Sequence, residues 1–154
     1  MTSKYSIKQR IALGILIIAV PVLILFYGVR YAKKPLLELY QGLNDDTAVT
    51  YIGIRIDKKG GEAAFWNSQD KSDIQSMLDV MREAEVRYDR SVSGVLVDPV
   101  NYTVTLAQRT ENGWTEYGPV TLNTKGYAYQ KGKRFLIVHE NDRLLQTVSS
   151  LVMD

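Results

Sequence analysis

The chain carries one histidine, His139, and no cysteine. Glu140 and Asp142 follow His139, so an imidazole and two carboxylates lie within one short stretch. An imidazole can serve as a general base, but nucleophilic catalysis also needs a hydroxyl or thiol beside it and a third group to orient it. The hydroxyls on offer, Ser91, Ser93, Ser149 and Ser150, are not singled out by any spacing. His139 shares strand parity with Phe135 and Ile137, which puts it at the end of a core-facing row. Glu85 is the other candidate for acid–base work. At 100° per residue it falls inside the apolar stripe of a helix read over residues 70–88. It is then either wet, where the last turn overhangs a sheet, or a carboxylate in a partly apolar pocket with a raised pKa.

Binding chemistry has two candidate sources. Lys131, Lys133 and Arg134, with Lys125 near by, form a basic hairpin suited to an anion such as a wall polymer or a lipid headgroup. Ten tyrosines and two tryptophans can supply an aromatic ligand surface, for which Tyr117 and Tyr129 are the expected contacts. Tyr and Trp also fill sheets by propensity, so cross-strand packing is the competing reading. No phosphate-binding loop, nucleophile elbow, dinucleotide fingerprint or calcium loop occurs. Asn101-Tyr102-Thr103 matches a glycosylation acceptor but reads as strand. No cofactor and no metal is expected, and no catalytic constellation can be assembled, so the chain is read as a non-enzyme.

Composition sharpens these exclusions. Zero Cys removes a disulfide framework, a thiolate metal site and an acylated lipoprotein Cys. One His removes a histidine metal cluster. The 154 residues carry a net charge of +2, unevenly spread. Residues 1–34 hold six Lys/Arg and no acid, whereas residues 35–154 hold 13 Lys/Arg against 17 Asp/Glu. An acidic domain without clustered cations is a poor nucleic-acid binder.

The basic end is built for a membrane. Residues 11–29, IALGILIIAVPVLILFYGV, run without a charge. As a helix they measure roughly 28 Å at 1.5 Å per residue, against a hydrocarbon core of about 30 Å. Lys4, Lys8 and Arg10 precede the run, and Arg30, Lys33 and Lys34 follow it. Tyr27 and Tyr31 fall at the level of an interfacial aromatic belt. Pro21 interrupts the run, which a helix in lipid tolerates. The run exceeds a signal-peptide core, and Arg30 spoils the nearest small-x-small site, so an uncleaved anchor is expected. The basic flanks are three against three, with the α-amino group tipping the count toward a cytoplasmic N-terminus and an outward domain. The chain thus divides into a basic tail (1–10), a transmembrane helix (11–30), a juxtamembrane connector (31–44) and a domain (45–154) expected to fold alone.

Within the connector, Pro35 followed by Leu36, Leu39, Tyr40 and Leu43 predicts a short helix stopped near Gly42, its stripe docked on the domain or lying on the membrane surface. Residues 48–57 alternate, with Ile52, Ile54 and Ile56 on one face and Tyr51, Gly53 and Arg55 on the other. Residues 58–62 make a hairpin turn, and 63–67 return as a strand carrying Phe65 and Trp66. Asp70 caps a helix whose stripe is Ile74, Met77, Leu78, Met81, Ala84 and Tyr88, with Glu83 and Arg87 as a surface pair. From residue 92 the chain reads as strands turning at Asp98-Pro99 and at 111–113, broken near Gly118-Pro119, and ending in a hairpin over 127–139. A last helix over 141–153 carries Leu144, Leu145, Val148, Leu151 and Val152. After the anchor, the order β-β-α-β-β-β-β-α predicts an α+β fold, an antiparallel sheet with two helices packed on it.

This order, with Tyr51-Ile-Gly-Ile-Arg-Ile-Asp57, the Asp70-capped helix and Lys125-Gly-Tyr-Ala-Tyr-Gln-Lys-Gly-Lys133, resembles small extracytoplasmic domains of uncharacterised membrane-anchored proteins and lipoproteins of Gram-positive bacteria. The likeness covers residues 48–152, is one of pattern, and implies no catalytic residues. The expected function is a single-pass, membrane-anchored binding or accessory module at the cell surface. Its expected partners are another membrane protein, lipid headgroups or cell-wall polymer, with no nucleic acid. A structural subunit of a membrane assembly, with Gly14, Ala19 and Gly28 packing the anchor, is the alternative. A tethered hydrolase using His139 or the Glu85 region is the third reading.

Overall fold

The computed structural model describes residues 7–44, 47–90 and 100–153, with the side chains of residues 12–28 in the first helix. The chain divides into two compact units, residues 1–32 and 33–154. The first holds α1 (Ile7–Tyr31), which contains Pro21. Its described side chains are exposed on every side. Among the described residues no helix is long and apolar enough to cross a membrane.

The second unit is α+β. Its elements are β1 (Lys34–Pro35), a 3-10 turn (Leu36–Leu39), β2 (Tyr51–Lys58), β3 (Ala64–Ser68), α2 (Lys71–Glu83), β4 (Glu85–Asp89), β5 (Val100–Thr110), β6 (Gly113–Asn123), β7 (Tyr127–Gln130), β8 (Lys133–Ile137) and α3 (Asn141–Met153). The strands form one antiparallel sheet in the order β1-β4-β8-β7-β6-β5-β2-β3. The register sets Ile52 opposite Leu106 and Ile54 opposite Val104, then Val104 opposite Val120 and Leu122 opposite Ala128. These side chains make one buried face. Ile74, Met77 and Met81 of α2 and Leu144 and Val148 of α3 join the same core. The Asp70 cap forms as its type requires: its carboxylate accepts from the Ser72 amide at 2.7 Å and the Ser72 hydroxyl at 2.6 Å. Those bonds favour the charged form and lower its pKa.

Three expectations are corrected. The connector docks its stripe on the domain, but as one 3-10 turn and not as the expected longer helix. Pro35 holds extended backbone, with φ −54° and ψ 141°, and as part of β1 it pairs with Glu85. The Leu36 amide donates to the Ala84 carbonyl at 2.7 Å. One 3-10 turn then drives Leu36, Leu39 and Tyr40 into the core, and the Gln130 side-chain amide donates to the Leu39 carbonyl. The connector stripe was legible, and residues 33–44 belong to the second compact unit.

Second, α2 ends at Glu83 and Ala84 turns extended, with φ −67° and ψ 123°. Residues 85–89 form a strand where the helix was expected to continue, ahead of the strands read from residue 92 onward. Ala84, Val86 and Tyr88 satisfy a period of two as well as Ala84 and Tyr88 satisfy a helical one, and the β-branched and aromatic pair favours the strand. The Glu83–Arg87 helical pair therefore does not form, and Glu83 takes Arg143 of α3 instead. Glu85 lies on β4 with its carboxylate 3.3 Å from the Lys33 ammonium, both partly exposed. It occupies no apolar pocket of a helix.

Third, β6 continues through Gly118-Pro119 with an irregular register. Val104 faces Val120, whereas Leu106 faces Tyr117, so two residues of β6 oppose the single Thr105. The turn expected at Asp98-Pro99 lies outside the described residues.

Candidate functional site

An antiparallel sheet covered by helices on one face leaves the other for ligands or solvent. Around the β3–β2–β5–β6 end, the uncovered face carries Tyr51, Gly53 and Arg55 from β2, Phe65 and Asn67 from β3, Thr103 and Thr105 from β5, and Trp114 and Glu116 from β6. Two contiguous hollows of about 280 and 310 Å³ lie here and share Tyr51 and Glu116 among their lining residues. Trp114 is half exposed and Phe65 is 74% exposed, unusual for large apolar side chains in this unit.

The groove is ordered from within. Tyr51 and Trp114 pack edge to face, with centroids 5.8 Å apart and planes at 65°. A Cβ on Gly53 would meet the Tyr51 hydroxyl at 3.0 Å and its Cε1 at 3.1 Å, so the missing side chain is what lets the Tyr51 ring lie across the strand. Arg55 spans two partners: its Nε reaches Asp57 Oδ1 at 3.0 Å, and its guanidinium sits 5.9 Å from the Phe65 ring centre. Tyr51 and Arg55 stand on one face of β2, four residues or about 13 Å apart. The surface therefore runs obliquely from Trp114, through the Tyr51 ring that lies over Gly53, to Phe65–Arg55. Thr103 and Thr121 share a hydroxyl hydrogen bond of 3.0 Å on the same face. The charged residues that line the hollows, Arg55 and Glu116, are one of each sign.

The residues expected from sequence are placed otherwise. Tyr117 is buried on the core side, its hydroxyl donating to the Gln108 carboxamide at 3.1 Å. Counted back from the buried Val120 and Leu122, its odd position would face it outward, but the extra residue at Gly118-Pro119 reverses the alternation. Tyr129 is buried and meets the Asn123 amide at 3.4 Å. Arg134 is 4% exposed, with its Nη2 2.6 Å from Asp89 Oδ2 and its guanidinium 4.8 Å from the Tyr127 ring centre. An arginine so enclosed serves the β4–β8 pairing, in which it faces Asp89. Of the basic hairpin only Lys131 and Lys133 are exposed, and Lys131 donates to the Gln41 carboxamide.

His139 does not end a buried row. It lies beyond β8 with its side chain more than half exposed and Nε2 3.2 Å from Glu140 Oε1. Ser149 and Ser150 sit on α3 with their hydroxyls donating to the Gln146 and Thr147 carbonyls. Nine or more helical residues, about 13 Å of rise, separate them from His139. Ser91 and Ser93 lie outside the described residues. Among the described residues no group of His, Asp and Glu converges to hold a metal ion.

Sequence reasoning named the tyrosines and tryptophans as a candidate surface but did not bring Tyr51, Phe65 and Trp114 together on one open face. The signal was present in Gly53: a glycine inside an otherwise β-branched strand marks a close approach over that face. Comparison with protein-family models, with curated proteins and with solved structures finds no match to this chain.

Proposed function

We propose that this chain is a single-pass, membrane-anchored binding module that presents the open face of its sheet at the cell surface. The observation that carries the reading is the preorganised groove of Tyr51, Trp114, Phe65 and Arg55 on the face opposite the helices. A concave surface of aromatic rings with a few placed polar groups is the usual make-up of a ligand site. The anchor rests on the charge-free run of residues 11–29 and its basic flanks. A helix apolar on all sides is stable only when enclosed by protein or lipid, and α1 carries exposed Ile, Leu, Val and Phe all along its described length. An anchor also holds the domain at high effective concentration beside whatever lies at the bilayer surface.

The test has two readouts. Protease added to intact cells should remove the domain and spare the basic tail, fixing the orientation. A photoreactive residue at position 65 or 114 should crosslink a surface component that is lost when the anchor is exchanged for a secreted signal. The same probe at Met153, exposed at the end of α3, should not. Equal capture from all three positions would defeat the assignment of the face.

A further inference from the structure

The groove's own chemistry narrows what it can hold. Its lining carries one cation, Arg55, and one carboxylate, Glu116, and Arg55 is engaged by Asp57 at 2.8 Å. A phosphate polymer would need clustered free cations, and residues 33–154 hold 15 Lys/Arg against 17 Asp/Glu. A peptide strand would pair with a sheet edge through its backbone, but this surface is a sheet face that offers side chains only. An acyl chain would find Glu116, Asn67, Thr103 and Thr105 set among the rings, and desolvating those groups without partners is costly. What remains matches a chain that is uncharged, has apolar C–H faces and is studded with hydroxyls. The negative face of an aromatic ring attracts such C–H groups. The carboxylate of Glu116, the amide of Asn67 and the threonine hydroxyls can accept from or donate to ring hydroxyls. The elongated arrangement, with Trp114 and Phe65 at its ends and the Tyr51 ring laid over Gly53 between them, suits a linear polymer rather than a compact metabolite.

We infer that the groove between Trp114–Tyr51 and Phe65–Arg55 is a binding site for an uncharged glycan chain, which stacks on the rings and hydrogen-bonds to Glu116 and Asn67. The inference rests on the binding-module reading above and names its ligand class. Stacking on exposed rings leaves the core untouched, so the site can be emptied without unfolding the domain: Phe65 and Trp114 are the two aromatic side chains of this unit most open to solvent.

The test uses the full chain in lipid nanodiscs, titrated calorimetrically with a hexamer of N-acetylglucosamine and with cellohexaose. Poly(glycerol phosphate) and a single-stranded oligonucleotide serve as polyanion probes. Saturable binding of at least one hexaose is expected. It should weaken about tenfold or more in Trp114→Ala and in Phe65→Ala, the order of loss for an aromatic anchor, and be unchanged in Met153→Ala. Melting of each variant confirms that the fold is kept. Absence of binding to both hexaoses overturns the glycan assignment, as does tighter binding of either polyanion. Binding that survives both aromatic substitutions overturns the site. If the hexaoses fail while crosslinking from positions 65 and 114 still captures an anchor-dependent neighbour, the ligand class falls and the module reading stands; if both fail, both fall.

Discussion

The ring of Tyr40 lies against the Cα of Gly118, so closely that a Cβ there would come within 2.9 Å of Tyr40 Cε1 and 3.1 Å of Cδ1. The connector and the irregular stretch of β6 are thereby fitted to each other. Gly118 also holds φ +102°, which an L side chain resists. Gly118→Ala is therefore expected to destabilise the domain by about 2–5 kcal/mol, combining ~1–2 from backbone strain with ~1–3 from overpacking. Urea denaturation of the full chain measures it. A variant within 0.5 kcal/mol of the parent, the ordinary range for surface changes, would mean that the ring simply moves aside.

Tyr40 also predicts how the fold fails in alkali. The side chain is 1% exposed, its hydroxyl donating to the Val104 carbonyl at 3.3 Å. Burial pushes its ionisation far above the ordinary tyrosine value. Because the folded pKa is raised, the stability from keeping the phenol neutral is complete below about pH 10, the unfolded value, and is lost as pH climbs above it. Tyr40→Phe should shift the midpoint of alkaline unfolding upward, at a neutral-pH cost of about 0.5–1.5 kcal/mol for the hydrogen bond. Circular dichroism against pH reads both. An unchanged alkaline midpoint would assign the transition to other tyrosines.

Where the domain begins is a third point of test. Leu36, Leu39 and Tyr40 are each 1% exposed or less, and truncating a buried residue of this size costs about 2–5 kcal/mol. A small domain has only about 5–15 kcal/mol in all. A segment of residues 45–154 should therefore lack a cooperative melt, and one of residues 33–154 should show it. Limited proteolysis checks the same boundary independently, and a resistant 45–154 fragment would show the connector to be dispensable.

The elements that could be read from sequence are those whose information is local. Ile52, Ile54 and Ile56 alternate without ambiguity, Asp70 caps α2 as its type demands, and α3 occupies the stretch that its apolar spacing marked out. What escaped depends on partners far along the chain. Ala84 and Tyr88 fit both periods, and the strand is decided by pairing with β8, some fifty residues on. Tyr117 turns inward because one extra residue at Gly118-Pro119 reverses the alternation, and nothing near Tyr117 says so. Arg134 reads as a surface cation until Asp89 is set opposite it. The groove was half legible: Tyr51, Gly53 and Arg55 could be put on one face, but Phe65 and Trp114 join them only through the register of β3 and β6.

The C-terminal helix should respond unevenly to truncation. Leu144 and Val148 are wholly buried, whereas Leu151 is only partly covered by the core. Leu144→Ala is expected to cost about 2–5 kcal/mol and Leu151→Ala clearly less. Ser149→Ala, which removes only a hydroxyl bonded to the Gln146 carbonyl, should stay within about 0.5 kcal/mol. Thermal melts of the three variants rank them; equal losses at 144 and 151 would put α3 deeper on the sheet than its exposure implies.

The pair Arg134 and Asp89 separates a structural cation from a binding one. Their contact is 2.6 Å, and the arginine side chain is 3% exposed against 19% for the aspartate. Removing one partner of such a pair leaves the other charge desolvated, a loss of about 3–5 kcal/mol when burial is deep. Asp89→Ala should approach the lower end, because the carboxylate keeps some contact with water. Replacing both partners by apolar residues of similar volume, Asp89→Leu with Arg134→Met, should recover most of that loss, since the pair is stabilising only relative to a half-broken one. Lys133→Ala, on the same hairpin but exposed, should change stability by no more than about 0.5 kcal/mol. Chemical denaturation of these three variants and of Arg134→Ala, against the parent, completes the comparison. If Arg134→Ala behaves like Lys133→Ala, the arginine is a surface group after all, and the hairpin returns as a site for an anionic ligand.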